Sequence, residues 1–232
     1  MNNMVPLSTA DFTRIKDTIS KSLSAIAAVT PAAIGHILPK TEVVGKLYEA
    51  HVLSRMIQDL HHIEGLKVDL IGTGGRVMLK QKGGPINRAF PYFKLYKKGI
   101  LFAELFTDTY FSTLSYSDIG GTLERSSYHE LDIALLKPNC AGTPSFDQVF
   151  IAAECKATDM QKSIFREILG FRRELGCLVP GGIPTNFDHW PETHIRCNPA
   201  SVHIFYCTDK TVDDYKENAK TYGIVLKHEP MS

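Results

Sequence analysis

The chain is predicted to form one α/β domain on a mixed sheet. Three observations predict this. Helix-like and strand-like segments follow in the order helix, several strands, helix, strand, helix, strand. Two consecutive segments, "HELDIALL" (129–136) and "QVFIAAECKA" (148–157), are apolar on alternate positions and nearly so on the others, as strands covered on both faces are. A length of 232 residues, 44% hydrophobic and 22% charged, is enough for one large core.

Residues 8–28 are weakly helical, and Pro31 and Pro39 bracket a short connector. Residues 1–40 therefore read as a helical extension and 41–228 as the core of a single domain covering 1–232. From Thr41 to about His61 the apolar positions Val43, Leu47, Ala50, Leu53, Ile57 and Leu60 recur at steps of three and four, the period of an amphipathic helix. Residues 66–117 hold four strand-like runs, "LKVDLIG", "RVMLKQ", "FPYFKLY" and "GILFAELFTDTYFSTLS", with glycine-bearing turns between them. This strand-rich segment exceeds what a minimal core needs and reads as an added element that sets substrate or oligomer. Asp159 is the expected N-cap of a helix running to about Gly176, with Ile164, Ile168, Phe171 and Leu175 inward. A Pro/Gly-rich loop (180–199), the strand "SVHIFYCT", a helix at 211–221 and the strand "GIVLKH" complete the order.

Composition excludes little. The formal net charge of +1 neither demands nor forbids nucleic acid, because binding needs a local basic patch. No apolar run has the length of a membrane span. Asp11, Arg14, Lys16 and Asp17 interrupt the segment where a signal peptide needs apolar residues, so a cytoplasmic location is expected. Five cysteines without a CxxC pair read as free thiols. No GxSxG, HExxH, P-loop or dinucleotide fingerprint is present.

The chemistry concentrates at the ends of the two apolar strands. Period-two geometry puts Phe150, Ala152, Glu154 and Lys156 on one face and Ile151, Ala153 and Cys155 on the other. On the preceding strand Glu130 and Asp132 share a face. If the strands pair, Asp132 lies beside Glu154, and two carboxylates so close need a cation or a shared proton. Oxygen ligands of this kind suit Mg²⁺ or Mn²⁺. A neighbouring lysine then stabilises developing negative charge or orients a water.

An acidic residue on one strand and Glu-Cys-Lys on the next, with helices in this order, resembles the PD-(D/E)XK nuclease superfamily. The resemblance implies a restriction-endonuclease-like mixed sheet flanked by helices. It also implies a Mg²⁺-dependent endonuclease, with Mn²⁺ as substitute, acting on double-stranded DNA in restriction, phage defence or repair. Asp132, Glu154 and Lys156 would then be catalytic. Asp132, Glu154 and the backbone carbonyl of Cys155 would hold metal, with Glu49 of "GKLYEAHVL" joining directly or through water. Leu131 replaces the family's proline, and Glu130, on the face of Asp132, leaves the choice of carboxylate open. Two rival readings share the fold: a non-catalytic nucleic-acid-binding or assembly module, and a nuclease for RNA or branched DNA. Two-strand cleavage implies a homo-oligomer, expected as a two-fold dimer.

Weaker signals follow. Lys162, Arg166 and Arg173 fall in a narrow helical arc that suits phosphates or plain solvent. Gln161 near that helix start reads as bland. The turns "GTGGR" and "KGGP" read as hairpins. His189, His194 and Cys197 lack a fourth zinc ligand at a recognised spacing, and Trp190 with its prolines reads as a rigid lid or subunit contact.

Overall fold

The computed structural model describes residues 8–27, 34, 43–72 and 80–231. In the first helix, α1 (Thr9–Ala27), Phe12, Ile15, Ile19 and Leu23 line one face at steps of three and four and are buried. They pack beside α2 (Val44–His62), whose Leu47, Leu53, Ile57 and Leu60 are fully buried. Both helices share a single core with Ile133, Leu135, Ile151, Ala153 and Ile204 of the sheet. Each such leucine or isoleucine side chain contributes roughly 1.5–3 kcal/mol when removed from water. The first helix is thus part of the core, where the sequence suggests an extension.

The sheet has seven strands in the order β1-β2-β3-β4-β5-β8-β9. They are β1 (Lys67–Ile71), β2 (Tyr92–Lys97), β3 (Ile100–Ser112), β4 (Tyr128–Leu136), β5 (Val149–Lys156), β8 (Val202–Cys207) and β9 (Ile224–His228). The first four pairings are antiparallel and the last two parallel, so the sheet is mixed. A short helix α3 (Leu114–Ile119) follows β3, α4 (Lys162–Glu174) follows β5, and α5 (Lys216–Thr221) precedes β9. Helix α4 covers the face opposite α1 and α2, where Ile168 packs on Phe205 and Phe171 on Phe111. The adjacent antiparallel pairing of β4 and β5 agrees with the sequence, as does their two-sided burial.

Several expectations are corrected. The segment 66–117 is integral to the fold: it supplies three neighbouring strands of the central sheet. Residues 73–79, which include most of "GTGGR" and of "RVMLKQ", lie outside the described residues, as does the Pro31–Pro39 connector apart from Ile34. "KGGP" is no hairpin. Gly84 bridges to Thr109 of β3 and accepts from the Tyr110 N–H at 2.9 Å. A Cβ on Gly83 would sit 2.1 Å from the Glu130 carboxylate and 2.6 Å from the Tyr110 ring, so that approach requires glycine. Phe150 stacks on Phe102 and joins the core of Ile151, the face opposite Ala152, because the β4–β5 register shifts by a bulge near Leu135.

Helix α4 starts at Lys162 with Gln161 before it, not at Asp159. The intervening turn is tied down by Asp209, whose carboxylate accepts from the Met160 N–H at 2.7 Å. The region 180–199 contains a ribbon of β6 (Cys177–Pro184) with β7 (His194–Asn198). The expected helix at 211–221 begins as a 3₁₀ turn and becomes α only at Lys216. Trp190 is neither lid nor contact surface. It is buried in the main core, with Glu64 accepting from the backbone N–H groups of Asp188, His189 and Trp190 at 2.8, 2.7 and 3.1 Å. Lys97 completes that clamp at 3.2 Å from the Glu64 carboxylate. No helix among the described residues is long and apolar enough to cross a membrane.

A candidate metal centre

Register assembles the site. Thr107 pairs with Ile133 and Thr109 with Leu131, which sets Asp108 against Asp132 where the β3–β4 ladder lapses. Asp108 has φ 48°, a left-handed backbone that aspartate tolerates better than most residues. On the other side Ile133 pairs with Ala153, so Glu154 is the next position beside Asp132. There the Asp132 carboxylate accepts from the Cys155 N–H at 2.8 Å. Asp108, Asp132 and Glu154 thus form a row across three adjacent strands. Helix α2 brings Glu49 to the row: ligand oxygens of Glu49, Asp108 and Asp132 all lie within 4.8 Å of one another.

The cluster is electrostatically unbalanced. Burial and the Asp132 charge push Glu49 up to about 7. Burial, with repulsion from Glu130 and Asp132, raises Asp108 to about 6 against the opposing pull of Lys46. Burial also raises Asp132, despite the Cys155 N–H, and raises Glu154 well above the carboxylate range. Lys46 bridges part of the excess, 2.5 Å from Asp108 and 2.7 Å from Glu49. Burial alone would lower the pKa of that ammonium; the two carboxylates outweigh it and hold the pKa above the ordinary lysine value. Lys156 is 3.9 Å from Glu154. Oε1 of Glu154 is buried and has no hydrogen-bond partner.

The structure brings together Asp132, Glu154, Lys156 and Glu49 from the sequence reading. Glu130 is more exposed and stands outside the close group of three, one turn of the pleat away beside Gly83. The Cys155 thiol faces the opposite side, in the main core. Lys162, Arg166 and Arg173 are exposed on α4 and do not line the cavity next to Glu154; Glu167 and Glu174 do. Among the described residues Glu49, Asp108 and Asp132 are the group of metal-capable side chains that comes together, and His189, His194 and Cys197 form none.

Asp108 and Lys46 are the residues the sequence reading missed. A signal existed for Asp108: a lone aspartate between two threonines inside a thirteen-residue apolar strand. Such a strand also carries Glu104, which is buried but paired with Arg88 at 2.5 Å, so type alone could not separate the two.

These shifts predict a pH dependence. Between the unfolded carboxylate values near 4 and the folded values near 6–7, the folded chain binds more protons than the unfolded one, so this cluster's contribution to stability falls as pH rises. Glu49→Gln removes one such group. In EDTA the variant should gain thermal stability over the parent as pH rises from about 4.5 to about 7, and hold the gain above. Melting curves across pH check this; a constant difference would mean that Glu49 is not repelled.

Compared with protein-family models, curated proteins and solved structures, the chain shows no significant match.

Proposed function

We propose that the chain is a divalent-metal-dependent phosphodiesterase that cleaves DNA, as its PD-(D/E)XK-like pattern implies. The observation that carries this reading is the close group of Glu49, Asp108 and Asp132, drawn from one helix and two strands, with Glu154 on the next strand beside Asp132 and Lys156 3.9 Å from Glu154. The donors fit a hard cation: all are oxygens, they exceed the local positive charge, and Glu154 keeps a buried oxygen without a partner. Glu49, Asp108 and Asp132 would hold Mg²⁺ or Mn²⁺, with Glu154 alongside. The ion would supply charge neutralisation and a more acidic water. Lys156, the last residue of β5 and partly exposed, holds a positive charge at the mouth, where a phosphate's added charge develops. The strand fixes its backbone, so the side chain starts from the edge of the site before substrate arrives.

One observation favours the rival reading of a non-catalytic module: Lys46 is already paired with two of the carboxylates. The two readings separate in one assay. Supercoiled plasmid, linear DNA and RNA are incubated with Mg²⁺, Mn²⁺ or EDTA, and cleavage of DNA that EDTA abolishes is the expected result. Intact substrates under every condition would leave only the binding module. Cleavage confined to RNA would move the substrate class. Two-strand cutting further implies a two-fold dimer on DNA, checked by light scattering.

Lys46 also yields a prediction. A cation entering this cluster competes with the ammonium, so Lys46→Met should bind Mn²⁺ on the order of tenfold more tightly, the effect of removing one partly buried competing charge. Calorimetric titration measures it. Weaker binding in the variant would mean that the lysine supports the site and does not occupy it.

A further inference from the structure

We propose that the cavity between α4 and the β5–β8 pair is a nucleobase pocket, which takes one unstacked base of a polynucleotide while the attached phosphate stays at Lys156. The inference rests on the nuclease reading above and names where its substrate's base goes. The cavity has about 540 Å³ of space, within the usual range for small-ligand sites. Glu154 and Lys156 are among the residues that line it, so it borders the candidate centre.

The walls select the ligand. Phe171 is the hub of a ring cluster, 5.1 Å from His203, 5.5 Å from His129 and 5.6 Å from Phe111, and Phe205 lines the same space. Planar walls suit a planar guest. Polar groups in them are unmet. His203 is fully buried, and neither ring nitrogen has a hydrogen-bond partner; the Oε1 atom of Glu154 is in the same condition. Burial, aided by the Arg172 charge, lowers His203 to about 3, so its ring is neutral and offers one donor and one acceptor. An apolar guest would leave these groups unsatisfied. An anion would meet Glu154, Glu167 and Glu174 against the single ammonium of Lys156. A neutral heteroaromatic ring with donors and acceptors on its edge meets both demands, and a base is such a ring. Carboxylates at the rim accept from exocyclic amino groups, so adenine and cytosine are preferred over thymine. Enzymes that read a base outside the stack use this combination of ring faces and edge contacts.

Gly170 supplies the test. It lines the cavity on α4, and a Cβ there would meet nothing within 4 Å. Gly170→Leu should fill the pocket from its rim without touching Glu49, Asp108 or Asp132, and Gly170→Ala should leave it open while favouring the helix. Binding of deoxyadenosine monophosphate, thymidine monophosphate and deoxyribose 5-phosphate is followed by NMR in EDTA, with Mn²⁺ affinity measured separately. The adenine nucleotide should bind at least about tenfold more tightly than the base-free sugar phosphate and perturb Phe171 and His203. Gly170→Leu should erase that difference and leave Mn²⁺ affinity unchanged. Equal binding of the two probes, or indifference to Gly170→Leu, overturns the pocket. A short deoxyadenosine oligonucleotide separates the sources: binding sensitive to Gly170→Leu supports a base delivered by a polynucleotide, and sensitivity confined to the mononucleotide overturns that part. If the base effect holds while the parent fails to bind Mn²⁺, the nuclease reading fails and the pocket stands. If Mn²⁺ binds and the base effect is absent, the reverse holds.

Discussion

Asp132→Ala, Asp108→Ala, Glu154→Ala and Lys156→Ala are each expected to lose metal-dependent DNA cleavage by about a hundredfold or more while the protein stays folded. The three acidic residues stand in one row across β3, β4 and β5, so removing any one opens the charge cage on the ion. Lys156 is different. Its loss should leave Mn²⁺ affinity largely intact and remove the cation held at the mouth. Glu49→Ala belongs with the aspartates, because its carboxylate lies in the same close group. Folding should survive in the acidic variants, since each removes a charge that burial and its neighbours disfavour. Plasmid cleavage, Mn²⁺ titration and melting curves measure the three readouts separately. Full cleavage by both Asp108→Ala and Glu154→Ala would place the chemistry elsewhere.

The second large effect is on stability. Glu64→Ala is expected to cost about 3 kcal/mol or more. The carboxylate is fully buried, and its removal strands three backbone N–H groups and leaves Lys97 with Asp188, 2.7 Å away, as its remaining carboxylate partner. Burial alone would raise its pKa, but those hydrogen bonds outweigh that and hold it below the ordinary value. Its stabilisation is therefore present above the unfolded value near 4.5 and is lost as pH falls through the folded one. Trp190 sits on the clamp and reports its opening by fluorescence. Urea unfolding of Glu64→Ala against the parent gives the magnitude; a loss under 1 kcal/mol would mean the 185–191 segment holds itself.

The element order and the two central strands were legible because their apolar runs have no other use. So were Asp132, inside β4, and Glu154 and Lys156, near the end of β5, charged residues where carbon was expected. Asp108 was not legible. Its partner is set by the β3–β4 register and by a left-handed backbone, neither of which a local pattern encodes. Lys46 needed the helix position as well, one turn before Glu49 on α2. The 180–199 ribbon was hidden by prolines and glycines that usually mark loops, and Trp190 by a burial that depends on Glu64, far away in the chain. The approach of Gly83 to Glu130 is likewise a tertiary fact.

The position of β5 has a consequence in time. This strand carries Glu154 and Lys156 and lies between β4, its antiparallel neighbour in sequence, and β8, its parallel neighbour across a long crossover. The hairpin-like side forms from nearby residues; the parallel side must wait for α4 and the β6–β7 ribbon to be threaded first. A chain emerging from its N-terminus therefore has Glu49, Asp108 and Asp132 well before it has a fixed Glu154. Completion of the centre is therefore expected to coincide with the slowest step of refolding.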